Sequence, residues 1–95
     1  MAKEPTTHQV TCHKPDDDDD DRRIEGLGGP DDGGWYRDID FLITGIENGD
    51  FKLWTIDTKG NSVWVVVRER NGRKYLKTTS DGIEPNNLLA LHHCP

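Results

Sequence analysis

Residues 51–79 read FKLWTIDTKGNSVWVVVRERNGRKYLKTT and contain three strand-like segments in succession. The segments 51–56, 62–70 and 73–79 are rich in β-branched and aromatic side chains, which favour strands. Asn71-Gly72, between the second and third segments, is the preferred sequence for a two-residue type I′ hairpin turn. These features predict a three-stranded antiparallel meander.

Side chains alternate along a strand, so the register of the meander assigns its residues to two faces. We predict that Trp54 lies opposite Trp64 and that Arg70 lies opposite Arg73. One face is then apolar and forms the predicted core face: Phe51, Leu53, Val63, Val65, Val67 and Leu76. The other face, here named the indole face, is aromatic and basic: Lys52, Trp54, Ile56, Trp64, Val66, Arg68, Tyr75 and Lys77.

One helix is predicted just before the meander. Its apolar residues recur at the spacing of a helical stripe, namely Ile39, Leu42, Ile43 and Ile46. Asp38 is a suitable N-cap, and Asn48-Gly49 is a suitable stop. A helix of about ten residues is not stable alone in water. We therefore expect it to pack on the core face of the sheet.

The N-terminal half is expected to add one or two short strands. Residues 8–13 and 22–27 have strand-like sequences, whereas 14–21 contain a proline followed by six aspartates. Such a block of like charges cannot pack against a core. We predict a disordered tail at 1–7 and a single α+β domain over 8–95, with a mobile acidic loop at 14–21.

The length and composition of the sequence argue against a membrane protein, a secreted precursor, a coiled coil and a multi-domain enzyme. Apolar residues make up 32% of the 95 residues, charged residues another 32%, and mean hydropathy is −0.85. The longest apolar run is five residues, far short of the roughly 20 that span a membrane. The N-terminus lacks the basic and apolar regions of a secretory signal. We expect a small cytoplasmic protein that does not engage a membrane; its oligomeric state is left open.

Charge is distributed unevenly along the chain. The net charge is −6, with −9 in residues 1–50 and +3 in residues 51–95. An acidic chain repels nucleic acid at long range. The C-terminal half is basic, however, so a local face that binds anions is compatible with the charge distribution.

The two cysteines, Cys12 and Cys94, lie near opposite ends of the chain. A reducing cytoplasm disfavours a disulfide between them. The alternatives are two free buried thiols, or a zinc site in which one or two of His8, His92 and His93 join the cysteines. Because no CxxC or HxxxH spacing is present, we predict no metal and no cofactor.

Catalytic motifs are missing from the sequence. It has no GxSxG, no HExxH and no phosphate-cradling glycine loop. No nucleophile, base and orienting group can be recognised together. We therefore predict that the protein is not an enzyme.

A set of short motifs is spread over residues 8–95, and its most specific part is C-terminal. The motifs are His8-Gln9-Val10-Thr11-Cys12, Arg23-Ile24, Gly28-Gly29, Ile46-Glu47-Asn48-Gly49, Tyr75-Leu76-Lys77-Thr78, Asp81-Gly82, Pro85-Asn86-Asn87-Leu88-Leu89, Leu91 and Cys94-Pro95. On these motifs the chain resembles a small bacterial family catalogued as a domain of unknown function (the DUF 3892 group). The resemblance implies a bacterial or phage origin, and it assigns no activity, cofactor or functional residue.

The leading functional hypothesis is a non-catalytic binding module that contacts its ligand through the indole face. Six residues are the candidates: Trp54, Trp64, Tyr75, Lys52, Arg68 and Lys77. Aromatic rings interleaved with basic side chains are typical of a platform on which single-stranded nucleic acid stacks, and a protein partner is the other ligand class. The competing structural interpretation is that a terminal segment covers this face and buries the rings in a second small core.

The alternative hypothesis is an acidic, phage-related interaction protein that occupies a basic groove of a partner. Its contact residues would be the acidic interaction loop Asp16, Asp17, Asp18, Asp19, Asp20 and Asp21, with Asp31 and Asp32. The structural interpretation of the same run is a solvated loop.

Overall fold

The computed structural model describes residues 6–16, 18, 23–30, 33–80 and 86–94, and all structural statements below concern these residues. They form an α+β fold, as expected from the sequence. In chain order the elements are β1 (Thr6–Gln9), β2 (Cys12–Pro15), β3 (Ile24–Gly29), β4 (Trp35–Asp38), α1 (Ile39–Asn48), β5 (Phe51–Ile56), β6 (Ser62–Arg70), β7 (Arg73–Thr78), α2 (Asn86–Leu89) and β8 (His92–His93).

The strands form two four-stranded sheets, which corrects the prediction of one three-stranded meander extended by one or two short N-terminal strands. The first sheet has the order β1-β5-β6-β7, so the predicted meander β5-β6-β7 is present and β1 extends it by parallel pairing with β5. The second sheet has the order β4-β3-β2-β8. The N-terminal half and the last strand therefore build a layer of their own.

The two sheets are connected by a bend at Val10 and Thr11. The Val10 amide donates to the carbonyl of Trp54 at 2.8 Å, whereas the Thr11 amide donates to the carbonyl of Gly28 at 2.9 Å. Successive residues thus pair with different sheets. The sequence prediction of one strand over 8–13 is corrected to two strands, β1 and β2, on either side of this bend.

The predicted register of the meander is confirmed. Trp54 pairs with Trp64, and Arg70 pairs with Arg73. Asn71 and Gly72 have φ values of 53° and 76°, the positive angles that a type I′ turn requires. This turn fixes which residues of β6 and β7 share a face.

The predicted helix is also confirmed. Asp38 caps it by accepting a hydrogen bond from the Phe41 amide at 2.8 Å, and Gly49 ends it with φ 77°. The helix α1 contacts β3 and β4 of the second sheet and β5, β6 and β7 of the first. The buried core lies where these elements meet and comprises Val10, Ile24, Leu27, Ile39, Leu42, Ile43, Leu53, Val65, Leu76 and Leu88.

Several boundaries in the N-terminal half differ from the predictions. Thr6 and Thr7, expected in the tail, lie in β1, and Lys14 and Pro15, expected in the acidic loop, lie in β2. Backbone pairing with β5 and β3 explains both differences. The tail residues 1–5 lie outside the described part of the chain. In the described ranges, neither helix has the length and hydropathy to cross a membrane.

Asp38→Ala is expected to lower the free energy of unfolding by about 1 kcal/mol, because the first turn of α1 loses a side-chain acceptor. Asp38→Asn keeps an acceptor oxygen and is the matched control. Urea denaturation measures both variants. Equal losses in Ala and Asn would show that the cap does not contribute.

Candidate ligand-binding surfaces

The indole face lies on the side of the first sheet opposite to the helix. Trp54 and Trp64 are direct cross-strand neighbours. Leu53 and Val65, the neighbours that alternate with them, are buried in the core with α1. The Trp64 side chain is 45% exposed and Trp54 is half-buried. The two indoles therefore project together, and Trp64 is accessible.

Basic side chains border the two rings. The Lys52 ammonium lies 5.4 Å from the centroid of Trp64, within the range of a cation–π interaction. Arg68 is exposed, and its Nη1 donates to the carbonyl of Val67 at 2.8 Å. Lys77 pairs with Val66 and is half-buried. Residues 51–78 contain seven basic and two acidic side chains, so this sheet is positive in a chain of net charge −6.

Tyr75 is the one candidate that the structure removes from the accessible surface. It pairs with Arg68 and so has the predicted register, but it is only 5% exposed. A ring at this exposure cannot stack on an external ligand. The accessible candidates are therefore Trp54, Trp64, Lys52, Arg68 and Lys77.

The acidic interaction loop falls mostly outside the described residues. Asp16 and Asp18 are described, and the amide of Asp18 donates to Oδ1 of Asp16 at 3.1 Å. Asp17, Asp19, Asp20 and Asp21 lie outside, as do Asp31 and Asp32. A role for this run in binding a basic partner stays a prediction.

Cys12 and Cys94 form a disulfide, with their Cα atoms 4.9 Å apart. Strand β8 pairs in parallel with β2, and Cys94 directly follows β8. The Cys94 amide donates to the carbonyl of His13 at 2.8 Å. The thiols are thus neither free nor zinc-bound. The described residues contain no group of three His, Cys, Asp or Glu side chains that could hold a metal ion.

His13 is a buried histidine beside the disulfide. It is 2% exposed, and its ring centroid lies 5.1 Å from that of His93. Burial lowers the pKa of His13 below its ordinary value of 6.5, and the neighbouring His93 lowers it further. Hydrogen bonding to the backbone of Leu91 and His92 opposes part of this shift. The folded protein therefore favours a neutral His13.

The stability of the protein is expected to fall as the pH falls below 6.5. The unfolded chain binds a proton at His13 with the ordinary pKa, and the folded protein binds it less tightly. Urea denaturation at about pH 7.5 and about pH 5.5 measures the difference, which His13→Gln should reduce and the exposed control His92→Gln should not. An NMR titration that places the pKa of His13 at or above 6.5 would contradict the prediction.

A second candidate surface, the aromatic pocket, was not anticipated from the sequence. It has a volume of about 210 Å³ and is lined by His8, Trp35, Arg37, Phe41, Leu42, Phe51 and Leu53. The rings of Phe41 and Phe51 stack with centroids 6.1 Å apart. His8 makes edge contacts with Trp35 at 6.3 Å and with Phe51 at 6.5 Å. Four aromatic side chains therefore surround one opening.

Close packing on two glycines holds the walls of this pocket. A Cβ atom at Gly45 would collide with the Phe51 ring, so a glycine in α1 lets that ring pack on the helix. Likewise a Cβ at Gly29 would lie 2.6 Å from Nε1 of Trp35. That nitrogen is buried and has no hydrogen-bond acceptor among the described residues.

The residues of the aromatic pocket come from β1, β4, α1 and β5, so no local sequence pattern predicts this pocket. The sequence predictions include no strand at residues 35–38, which form β4. The signal that could have drawn attention to it was the pair Trp35 and Arg37. These two alternate side chains would share one face of an extended segment.

Comparison with known proteins identifies a family and nothing closer. The family described as "Protein of unknown function (DUF3892)" matches residues 9–92, which is most of the chain. No curated protein and no solved structure matches the chain. The residues matched include β2 to β7 and both candidate surfaces in large part. The chain belongs to the DUF3892 family of proteins of unknown function.

Proposed function

We propose that the protein is a non-catalytic binding module that holds single-stranded nucleic acid across its indole face. The observation that carries this proposal is the adjacent pair Trp54 and Trp64, with Trp64 45% exposed and the Lys52 ammonium 5.4 Å from its ring. Exposed aromatic rings offer stacking surfaces to any base, and basic side chains beside them attract the phosphates.

The position of the charges supports nucleic acid over a neutral partner. The segment 51–78, which forms β5, β6 and β7, has a net charge of +5, so the remainder of the chain has −11. An anionic strand would be attracted to the first sheet and repelled by the rest of the molecule. Such a distribution favours a single binding surface.

The exposure of the indole face supports binding over a purely structural role. Ile56 is 40% exposed and lies on the same face as the two tryptophans. Large apolar side chains that are left in contact with water, rimmed by charges, are typical of interaction sites. The competing interpretation, in which a terminal segment seals this face, would leave Trp64 buried.

The test is an NMR titration with a thymidine oligonucleotide of about ten nucleotides. The protein has three indole N–H signals, one per tryptophan, which single Trp→Phe variants assign. We expect the signals of Trp54 and Trp64 to shift, and the affinity to fall steeply as salt is added. An abasic oligonucleotide of equal length, which has the phosphates without the bases, should bind more weakly.

Two results would overturn the proposal. One is the absence of any shift at Trp64 in low salt. The other is equal affinity for the thymidine and abasic strands, because charge alone would then account for binding without the rings.

A further inference from the structure

The aromatic pocket lies at the junction of the two sheets. His8 belongs to β1, at the edge of the first sheet, and Trp35 and Arg37 belong to β4, at the edge of the second. Leu42 and Leu53, both 1% exposed, form its floor. The pocket therefore opens where the two sheet edges approach each other, on the opposite side of β5 from the indole face.

The size of the pocket suits a single ring. An apolar protein cavity of roughly 150 Å³ holds benzene, and the aromatic pocket measures about 210 Å³. It has room for a six-membered ring with one small substituent. The ring of Phe41 is 52% exposed, so one wall of the pocket is a ring face open to water.

The charge of the pocket is positive. The Arg37 guanidinium lies 5.5 Å from the centroid of Phe41, and its Nη1 donates to the carbonyl of Tyr36 at 2.8 Å. A guanidinium has five N–H donors. Within the described residues no carboxylate pairs with Arg37, and none lines the pocket. Its remaining donors can therefore receive an anionic group.

We propose that the aromatic pocket binds a small aromatic carboxylate. The ring of the ligand would lie among Trp35, Phe41 and Phe51, and its carboxylate would accept hydrogen bonds from Arg37. Arginine recognises a planar carboxylate through two parallel hydrogen bonds. The site is separate from the indole face, and its occupancy does not depend on the function proposed for that face.

Three small probes separate the contributions of the ring and the charge. Benzoate has both, benzamide has the ring without the charge, and cyclohexanecarboxylate has the charge without the aromatic ring. We expect benzoate to shift the indole N–H signal of Trp35 and to leave those of Trp54 and Trp64 in place. Each of the other two probes should bind roughly tenfold more weakly, since each loses one of the two interactions.

Matched arginine variants test the role of the charge. Arg37→Gln should raise the Kd for benzoate roughly tenfold and leave benzamide binding unchanged. Arg68→Gln is the control, because Arg68 is also exposed and also donates from Nη1 to the preceding carbonyl at 2.8 Å. Phe41→Ala removes an exposed ring without opening the core and should weaken both ring-bearing probes.

The proposal fails if millimolar benzoate does not shift the Trp35 signal, or if Arg37→Gln and Arg68→Gln have the same effect. Benzamide binding equal to benzoate would also refute it, because the guanidinium would then play no part. Oligonucleotide binding is measured from the indole N–H signals of Trp54 and Trp64, and benzoate binding from that of Trp35. Either proposal can therefore fail while the other stands.

Discussion

Trp64→Ala is expected to weaken the binding of the thymidine oligonucleotide about tenfold, and the double variant Trp54→Ala/Trp64→Ala at least roughly 30-fold. Removing one stacking ring costs about 1–3 kcal/mol of binding free energy, and 1.4 kcal/mol corresponds to a factor of ten in Kd. The two rings are adjacent across β5 and β6, so two successive bases lose their platform. Fluorescence anisotropy of a labelled oligonucleotide measures the change.

Ile56→Ala is the matched control for this prediction. Ile56 is 40% exposed on the same face, and it is neither aromatic nor charged. Its replacement should change the affinity little. Lys52→Gln should reduce the slope of log K against log salt by about one, because one phosphate contact is lost. If Trp64→Ala and Ile56→Ala weaken binding equally, the face acts as a general apolar surface and not as a stacking platform.

Reducing the Cys12–Cys94 disulfide is expected to lower the free energy of unfolding by about 2–5 kcal/mol. The two cysteines are 82 residues apart, so the bond closes nearly the whole chain into one loop and strongly restricts the unfolded state. Small domains are stable by about 5–15 kcal/mol, so the loss is a large fraction of the total. Thermal unfolding with and without a phosphine reductant measures it.

The double variant Cys12→Ser/Cys94→Ser provides the control. Its stability should match that of the reduced protein, and the reductant should have no further effect on it. Strand β8 has two residues and pairs with β2. Without the bond it is expected to detach and expose His13, which would also reduce the loss of stability below pH 6.5. A reductant that leaves the wild-type unfolding temperature unchanged would contradict the prediction.

The Cys12–Cys94 disulfide corrects an expectation that rested on the cellular compartment. A reducing cytoplasm disfavours such a bond, whereas the structure contains it. The pairing follows from β2 and β8 lying side by side. No spacing of the two cysteines in the chain predicts that contact, since it depends on how the last residues return to the first strands.

Local sequence signals are sufficient to predict the meander, its register and the helix. The alternation in residues 62–70, the Asn71-Gly72 turn and the helical stripe from Ile39 to Ile46 each act over a few residues, where backbone preference and burial agree. They place Trp54 beside Trp64 on the face away from α1. The sequence therefore predicts which residues share the indole face, but it does not predict that Tyr75 is buried.

The second sheet, the disulfide and the aromatic pocket depend on tertiary contacts alone. The bend at Val10 and Thr11 exists because β5 and β3 each supply a carbonyl to one of two successive amides. The pocket exists because β1 and β4, separated by more than twenty residues, come to lie at neighbouring sheet edges. Such contacts produce no periodic pattern of apolar residues in the sequence. Each of these segments is stabilised by contacts with a segment that is distant in the chain.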